Sequence, residues 1–476
     1  MSRIYDGPEF DDIGGGGGVG YNAPDPLDPG GGIDPGVGGG GLGGGGTGGT
    51  GGTGGTGGTG GGAPTATSLA EMDLDEGNTI VVAYGQHLVA GNLVQYNHAV
   101  GPPPATKFIT ALGEGPWEGI VKAWYAGEEI SASPDGTTAG YHFHPGTAST
   151  GIADPDQGED SFWTSPPTYS QTAYASVLLS AAQSVEERPD KFRATCQCLL
   201  IADYDDTGAE TDAGSYSANP ARVAADLLKR AGLLSSIDWP SWVAWRDYCD
   251  VLITWGGSSI KRFECHLALL QPTDLPTALN YVCQTSCNFW QDTGYTITFT
   301  LPLDANNTQP VDAIHTFTEA NCRGVTVIGN DWRALPTGYI ARFRDVDDQY
   351  MGEVTVEVND TDLETIAGGQ NVAEIGLPPM NRSQAERICN WLLKLNGEAY
   401  ADIELIGFGD SYSLLPGDFV AINHEVIEDP LNPTPYYGIV TEAEDLPEES
   451  GPGLRRFRIK ICTQLYDDTA HTVPIT

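Results

Sequence analysis

A mainly β fold with α+β insertions is what this sequence predicts, and three observations carry the prediction. Most of the chain is built from short apolar runs of period two bounded by Gly, Pro and Asn turns. Only a few segments carry a helical period, and each is flanked by cap and stop residues. The first seventy or so residues hold Gly, Pro, Asp and little else, so they contribute no ordinary core. We expect two tube-like β domains, at 76–216 and 303–476, and a smaller peripheral α+β domain at 217–302. A Gly-rich extended N-terminal arm at 1–75 precedes them.

The arm divides in two. Ile4, Tyr5, Phe10, Ile13, Tyr21 and Leu27 are anchors suited to pockets on a partner, whereas the glycine tract at 38–62 offers only Leu42 and threonines. Its stretch GGTGGTGGTGGTGGTGGG (45–62) repeats every three residues, which fits a flexible linker or a three-residue-per-turn extended helix. It lacks the proline of collagen. The arm reads as a tether that carries the anchors away from the body.

From 76 the elements follow in order. NTIVVAYGQHLVAGNLVQYN predicts two short strands around a glycine-marked turn. GIVKAWYAGEEI predicts a strand, a tight turn and a second strand. YHFHPGT ends a strand on a Pro-Gly turn, and KFRATCQCLLIADY is a longer apolar run with Cys196 and Cys198 on one face. SANPARVAADLLKRAGL is a helix with Asn219 as N-cap, Pro220 at the first position and Gly232 as stop. Val223, Leu227, Leu228 and Ala231 are its apolar stripe. DLPTALNYVCQTSCNFW gives a second helix and GYTITFTL a strand.

GVTVIG and EVTVEVND return to β. NRSQAERICNWLLKLNG predicts a helix with a Ser383/Glu386 capping box, a buried stripe of Ala385, Ile388, Cys389, Leu392 and Leu395, and an Asn396-Gly397 end. AYADIELIGFGD alternates Ala401, Ile403 and Leu405 inward with Asp402 and Glu404 outward. LLPGDFVAIN sets a Pro-Gly turn before a strand, and YYGIVTEAE with RRFRIKICTQLY forms a last hairpin closing a small barrel or sheet.

Composition bounds function. The formal net charge is −41, from 23 Lys plus Arg against 64 Asp plus Glu. Gripping a nucleic acid needs the opposite sign, so passing DNA is expected without specific binding. No segment reads as a signal peptide or a membrane span, so neither export nor membrane insertion is expected. Nine cysteines without CxxC units read as free thiols made in a reducing cytoplasm.

Candidate sites are few. His142 and His144, with Asp154 and Asp156 nearby, are weighed as a metal site and favoured as a packed pair at a strand end. Cys283 and Cys287, one helical turn apart, read as small buried hydrophobes, as do Cys196 and Cys198. The acidic runs DYDDTGAETD and RDVDDQY lack EF-hand spacing and read as solvated loops. No nucleophile elbow, Walker loop or HExxH motif occurs. We expect no enzyme, no catalytic residue, no metal and no cofactor.

Beyond these motifs, VVAYGQHLVAGNLV followed by LGEGPWEGIVKAWYAGEEI resembles the opening of lambda-type phage tail-tip hub proteins. NPARVAADLL with CDVLI, then SQAERICNWLL and LLPGDFVAI, resemble later landmarks of that family in the same order. The resemblance spans 79–476 and implies a homotrimer at the distal end of a phage tail. Two related β domains per subunit would match a hexameric tail tube. Its implied partners are its own copies, a distal tail protein or the tail tube, the tape-measure protein, and a central fibre or receptor-binding tip protein. It also implies assembly in the bacterial cytoplasm. The chain departs from the family by ending at Thr476, without the long receptor-binding part, so recognition is assigned to another polypeptide. A tail-associated wall hydrolase and an acidic surface adhesin are the competing expectations.

Overall fold

The computed structural model describes residues 80–99, 105–132, 139–147, 171–179, 191–301, 313–329, 335–348, 350, 352–397, 401–427, 436–446 and 453–461. The expected arm at 1–75, Asp154, Asp156 and Cys462 lie outside them. The fold is mainly β, with five α-helices among the described residues.

The long strand Phe192–Tyr204 organises the first part. One of its edges pairs with Trp117–Tyr125, which continues through the turn at Ala126 and Gly127 to Glu128–Ile130. Its other edge serves Gln86–Val89 and then Glu210–Tyr216. A second sheet has the order Asn92–Ala99, Ala105–Glu114, Thr172–Leu179, Gly140–His144. Phe108 of this sheet meets Phe192 of the first, ring centroids 6.0 Å apart, and both are fully buried.

The two strands expected around a glycine turn therefore join different sheets instead of pairing with each other. Gly91 makes the corner: its φ is +76°, and a Cβ there would lie 2.5 Å from the Ala111 carbonyl oxygen. Only glycine combines that backbone with that approach.

Helix α1, Pro220–Arg230, begins as expected: Asn219 accepts a hydrogen bond from the Ala221 N–H, and Lys229 and Arg230 sit at the negative end of the dipole. Ala231 is its exposed C-cap and not part of the buried stripe. Helix α2, Trp239–Asp250, is not among the sequence expectations. Its buried face is aromatic, with Trp242, Trp245 and Tyr248 at three-residue steps. The indole N–H groups of the tryptophans donate to the Ala221 carbonyl (2.7 Å) and to Ser286 Oγ (2.9 Å). Helix α3, Leu275–Gln284, is capped by Asp274, whose carboxylate accepts from the Thr277 N–H and hydroxyl. The hairpins Leu252–Trp255 with Ser258–Lys261 and Phe289–Asp292 with Ile297–Thr300 complete this block.

A three-stranded sheet follows, with Gly338–Arg344 between Glu353–Asn359 and Val372–Gly376. Helix α4, Thr361–Ala367, connects the outer two strands and is a second helix in 303–476, where the sequence leads us to expect one. Helix α5, Arg382–Leu392, packs on the sheet. Its cap differs from the expected Ser383/Glu386 box: Asn381 Oδ1 accepts from the Gln384 N–H at 2.8 Å, while Ser383 Oγ is buried and has no hydrogen-bond partner among the described residues. Asn381 precedes the helix and keeps the extended backbone that a cap requires, whereas Ser383 already lies inside the first turn. Gln384 is fully buried and bonds the backbone of Glu264 and the carbonyl of Thr285, joining α5 to the preceding block. The main core accordingly runs from Ala83 to Leu393.

The last sheet has the order His315–Phe317, Phe419–Ile422, Tyr436–Asp445, Arg455–Ile461, Ala401–Gly407, Cys322–Gly329. Its outermost strands are consecutive in the chain, joined by residues 318–321. A connection from Phe317 to Cys322 spans at most ~18 Å, less than the ~24 Å width of six flat strands. The sheet therefore curls around its own core of Phe317, Ile403, Leu405, Val420, Ile422, Val440, Phe457 and Ile459. Ala401, Ile403 and Leu405 point inward as expected. Asp402, expected outward, is 7% exposed and hydrogen-bonded to Arg458.

Candidate assembly surface

His142 and His144 share the strand Gly140–His144, with ring centroids 4.4 Å apart. The buried His144 ring stacks on Tyr174 at 4.2 Å and 10°. Among the described residues no three His, Cys, Asp or Glu side chains are placed to hold a metal.

Cys196, Cys198, Cys283 and Cys287 are buried, and burial raises the thiol pKa of the first three. Cys265 and Cys389 are pushed up to about 12 by the same cause. Thiols held this high are protonated and inert.

The acidic runs close on themselves. Asp205 Oδ1 accepts from the Thr207 N–H, the Thr207 hydroxyl and the Ala209 N–H, which holds its carboxyl below the usual range. In RDVDDQY the Asp345 side chain accepts from the Asp347 N–H, and burial raises both acids.

The surface features that remain are strand edges. Asn92–Ala99 ends the four-stranded sheet with Val94 and Tyr96 exposed, and Cys322–Gly329 ends the six-stranded sheet with Val327 and Ile328 exposed. Among the described residues neither strand has a second neighbour, so each presents backbone donors and acceptors beside apolar side chains. On the hairpin Phe289–Asp292 with Ile297–Thr300, Tyr295 is 91% exposed at the tip of a turn fixed by Thr293–Thr296 bonds and by Asp292 accepting from the Gly294 N–H. Such edges and rigid aromatic tips bind other chains by strand addition and by anchoring.

Behind this surface, two polar junctions hold the blocks together. The Tyr84 hydroxyl donates to Asp226 Oδ2 (2.8 Å), Arg230 Nε donates to the same oxygen (2.7 Å), and Arg230 Nη1 reaches Glu114 Oε1 (2.7 Å). Burial, then the Asp226 charge, drives the Tyr84 pKa well up, so the hydroxyl remains a donor.

At the second junction His266 Nδ1 accepts from the Gln86 N–H (3.0 Å), and the Tyr350 hydroxyl donates to the Gln86 carbonyl. Tyr350 stacks on His87 with centroids 5.9 Å apart, and His87 Nε2 donates to the Tyr84 carbonyl (3.1 Å). Burial lowers the imidazoles to about 4 at His87 and about 3 at His266. Both are therefore neutral at ordinary pH. The sequence gives no sign of these junctions, because their members stand 142, 180 and 264 positions apart.

No helix among the described residues is long and apolar enough to cross a membrane. No protein-family model and no curated protein matches the chain. Among solved structures, a chain in the virion of the native gene transfer agent particle is similar in fold. That match has TM-score 0.58 and 14% identity, over 85% of this chain and 89% of that one. Looser matches are a tail protein from Neisseria meningitidis MC58 (TM-score 0.32, 7% identity, 80% and 96% covered) and the 43 kDa tail protein of prophage MuSo2 from Shewanella oneidensis (TM-score 0.29, 10% identity, 83% and 99% covered). At 14% identity the likeness to the virion chain is one of fold alone.

Proposed function

We propose that this chain is a structural, non-enzymatic protein of a phage-like tail: a homotrimeric hub that closes the distal end of the tail tube and opens for DNA passage. The observation that carries the reading is the fold shared with a gene transfer agent virion chain over most of both lengths. Two sheets ending in exposed strands support it, because a ring grows by joining such edges. In this reading 76–216 and 303–476 act as the two tube-like domains and 217–302 as the peripheral one. Its neighbours are the distal tail protein or tail tube, the tape-measure protein, and a central fibre or tip protein. The formal charge of −41 per chain repels DNA from the channel wall. The N-terminal arm tethers a neighbouring tail protein.

Gold-labelled antibody against this chain, imaged on intact particles, tests the reading. Label at the far tip of the tail is the expected result, and label along the tube or on the head contradicts it. The competing hydrolase is tested by a zymogram of the purified chain. We expect no clearing of cell wall, and clearing would overturn the non-enzymatic reading.

A further inference from the structure

The turn that ends α5, Leu393–Gly397, packs on the outer face of the curled sheet. There Lys460 Nζ lies 2.7 Å from Asn396 Oδ1, across 64 positions of sequence. The Asn396 amide is oriented from its other side, since Nδ2 donates to the Tyr339 hydroxyl at 3.0 Å. Asn396 is 8% exposed.

Asp402 is the register partner of Lys460 on one neighbouring strand and Ile439 on the other. Directly opposed residues bring their Cβ atoms within about 5.5 Å. Asp402 Oδ2 holds Arg458, while its Oδ1 is buried and has no hydrogen-bond partner among the described residues. Ile439, Leu395 and Phe419 form the apolar cluster beside the pair. An amine, an amide and a carboxylate with a spare buried oxygen thus meet beside an apolar cluster, the set needed for amide transfer.

We propose that Lys460 and Asn396 join in an intramolecular isopeptide bond, with Asp402 as the proton carrier. Asp402 Oδ1 takes a proton from the half-buried Lys460 ammonium opposite it. The freed amine attacks Asn396 Cγ. The Nζ–Cγ bond forms, the Cγ–Nδ2 bond breaks, and one amine proton passes to Nδ2, which leaves as ammonia. Asp402 returns its proton to the ammonia, so ammonium departs and charge is conserved; no oxidant or cofactor enters. Tyr339 is a positioning residue: burial pushes its hydroxyl up to about 12, so it stays neutral and fixes the amide plane. The bond would stitch the main core, which ends at α5, to the core of the curled sheet. A ring that bears load along a tail axis gains from that stitch.

The test is the intact mass and peptide map of the purified full chain after incubation at mildly alkaline pH. The expected result is a mass lower by one ammonia, and a branched peptide joining the segments around Asn396 and Lys460. Lys460→Arg keeps the positive charge and restores the full mass. Asp402→Asn slows bond formation by about 100-fold or more. The full mass in the unaltered chain overturns the proposal. So does an ammonia loss that persists in Lys460→Arg, because a succinimide at Asn396-Gly397 then accounts for it. Should Lys460→Arg fail to fold, the peptide map of the unaltered chain still decides: an unbranched map contradicts the bond.

Discussion

At the scale of residues, the two buried histidines make stability depend on pH with a definite sign. Their folded pKa values lie near 4 and 3, below the ordinary 6.5, so the unfolded chain binds protons that the folded chain refuses. Their contribution is fully present above pH 6.5 and is lost as pH falls toward 4. For His87 the shift amounts to about 3 kcal/mol. Asp418 works the other way: burial raises it to about 6, so its folded form favours the proton and weakens as pH rises from about 4 to 6. Urea denaturation at pH 7 and pH 4.5 checks this. We expect a marked loss at the lower pH that shrinks in His87→Asn, and equal dependence in both proteins contradicts the assignment. The Tyr84–Asp226–Arg230–Glu114 junction gives a second test. Asp226→Ala leaves a buried hydroxyl and a guanidinium short of their shared acceptor, so a loss of about 1–3 kcal/mol is expected in the same assay.

At the scale of elements, α5 separates two readings of one sequence. The spacing of Ser383 and Glu386 suits a capping box, yet Asn381 supplies the cap. Asn381→Ala should therefore cost about 1 kcal/mol. Ser383→Ala removes a hydroxyl that has no hydrogen-bond partner among the described residues and should cost little or add stability, as thermal melts will show. The helices with a polar cap and an aliphatic stripe, α1, α3 and α5, were legible in sequence because those signals are local. Helices α2 and α4 were not: the buried face of α2 is aromatic and its Asp238 N-cap makes no side-chain bond, and α4, although capped by Asp360, is only seven residues long and buries Leu363 alone, too short to show a helical period. Many strands were legible as strands, and the hairpins Trp117–Tyr125 with Glu128–Ile130 and Tyr436–Asp445 with Arg455–Ile461 pair as expected; Ala105–Glu114, Thr172–Leu179 and Gly338–Arg344 were not read, and pairings between strands distant in the chain were not legible. Gly91 marks a turn in sequence, and only the approach of the Ala111 carbonyl shows that the turn leads into another sheet.

At the scale of the molecule, the arrangement of cores was the least legible feature. α5 follows the first residues of the curled sheet in sequence, yet Gln384 and Arg387 bond the backbones of Glu264, Thr285 and Arg262 and draw it into the main core. Such pairings span about a hundred positions and leave no periodic trace. The cysteines were read from sequence as small buried hydrophobes, and the eight among the described residues are buried; of the His142/His144 pair, His144 is buried against Tyr174 and His142 is half-buried. The free strand edges were invisible, because pairing decides which strand ends a sheet. If those edges join copies, Val327→Lys on Cys322–Gly329 should abolish association and leave the melting temperature within about 1–2 °C, since Val327 is already 40% exposed. The most direct test of the central claim is the copy number and symmetry of this chain in averaged electron micrographs of the tail tip. The hub reading predicts three copies around the tail axis, and a single copy, or a ring of six identical copies, would contradict it.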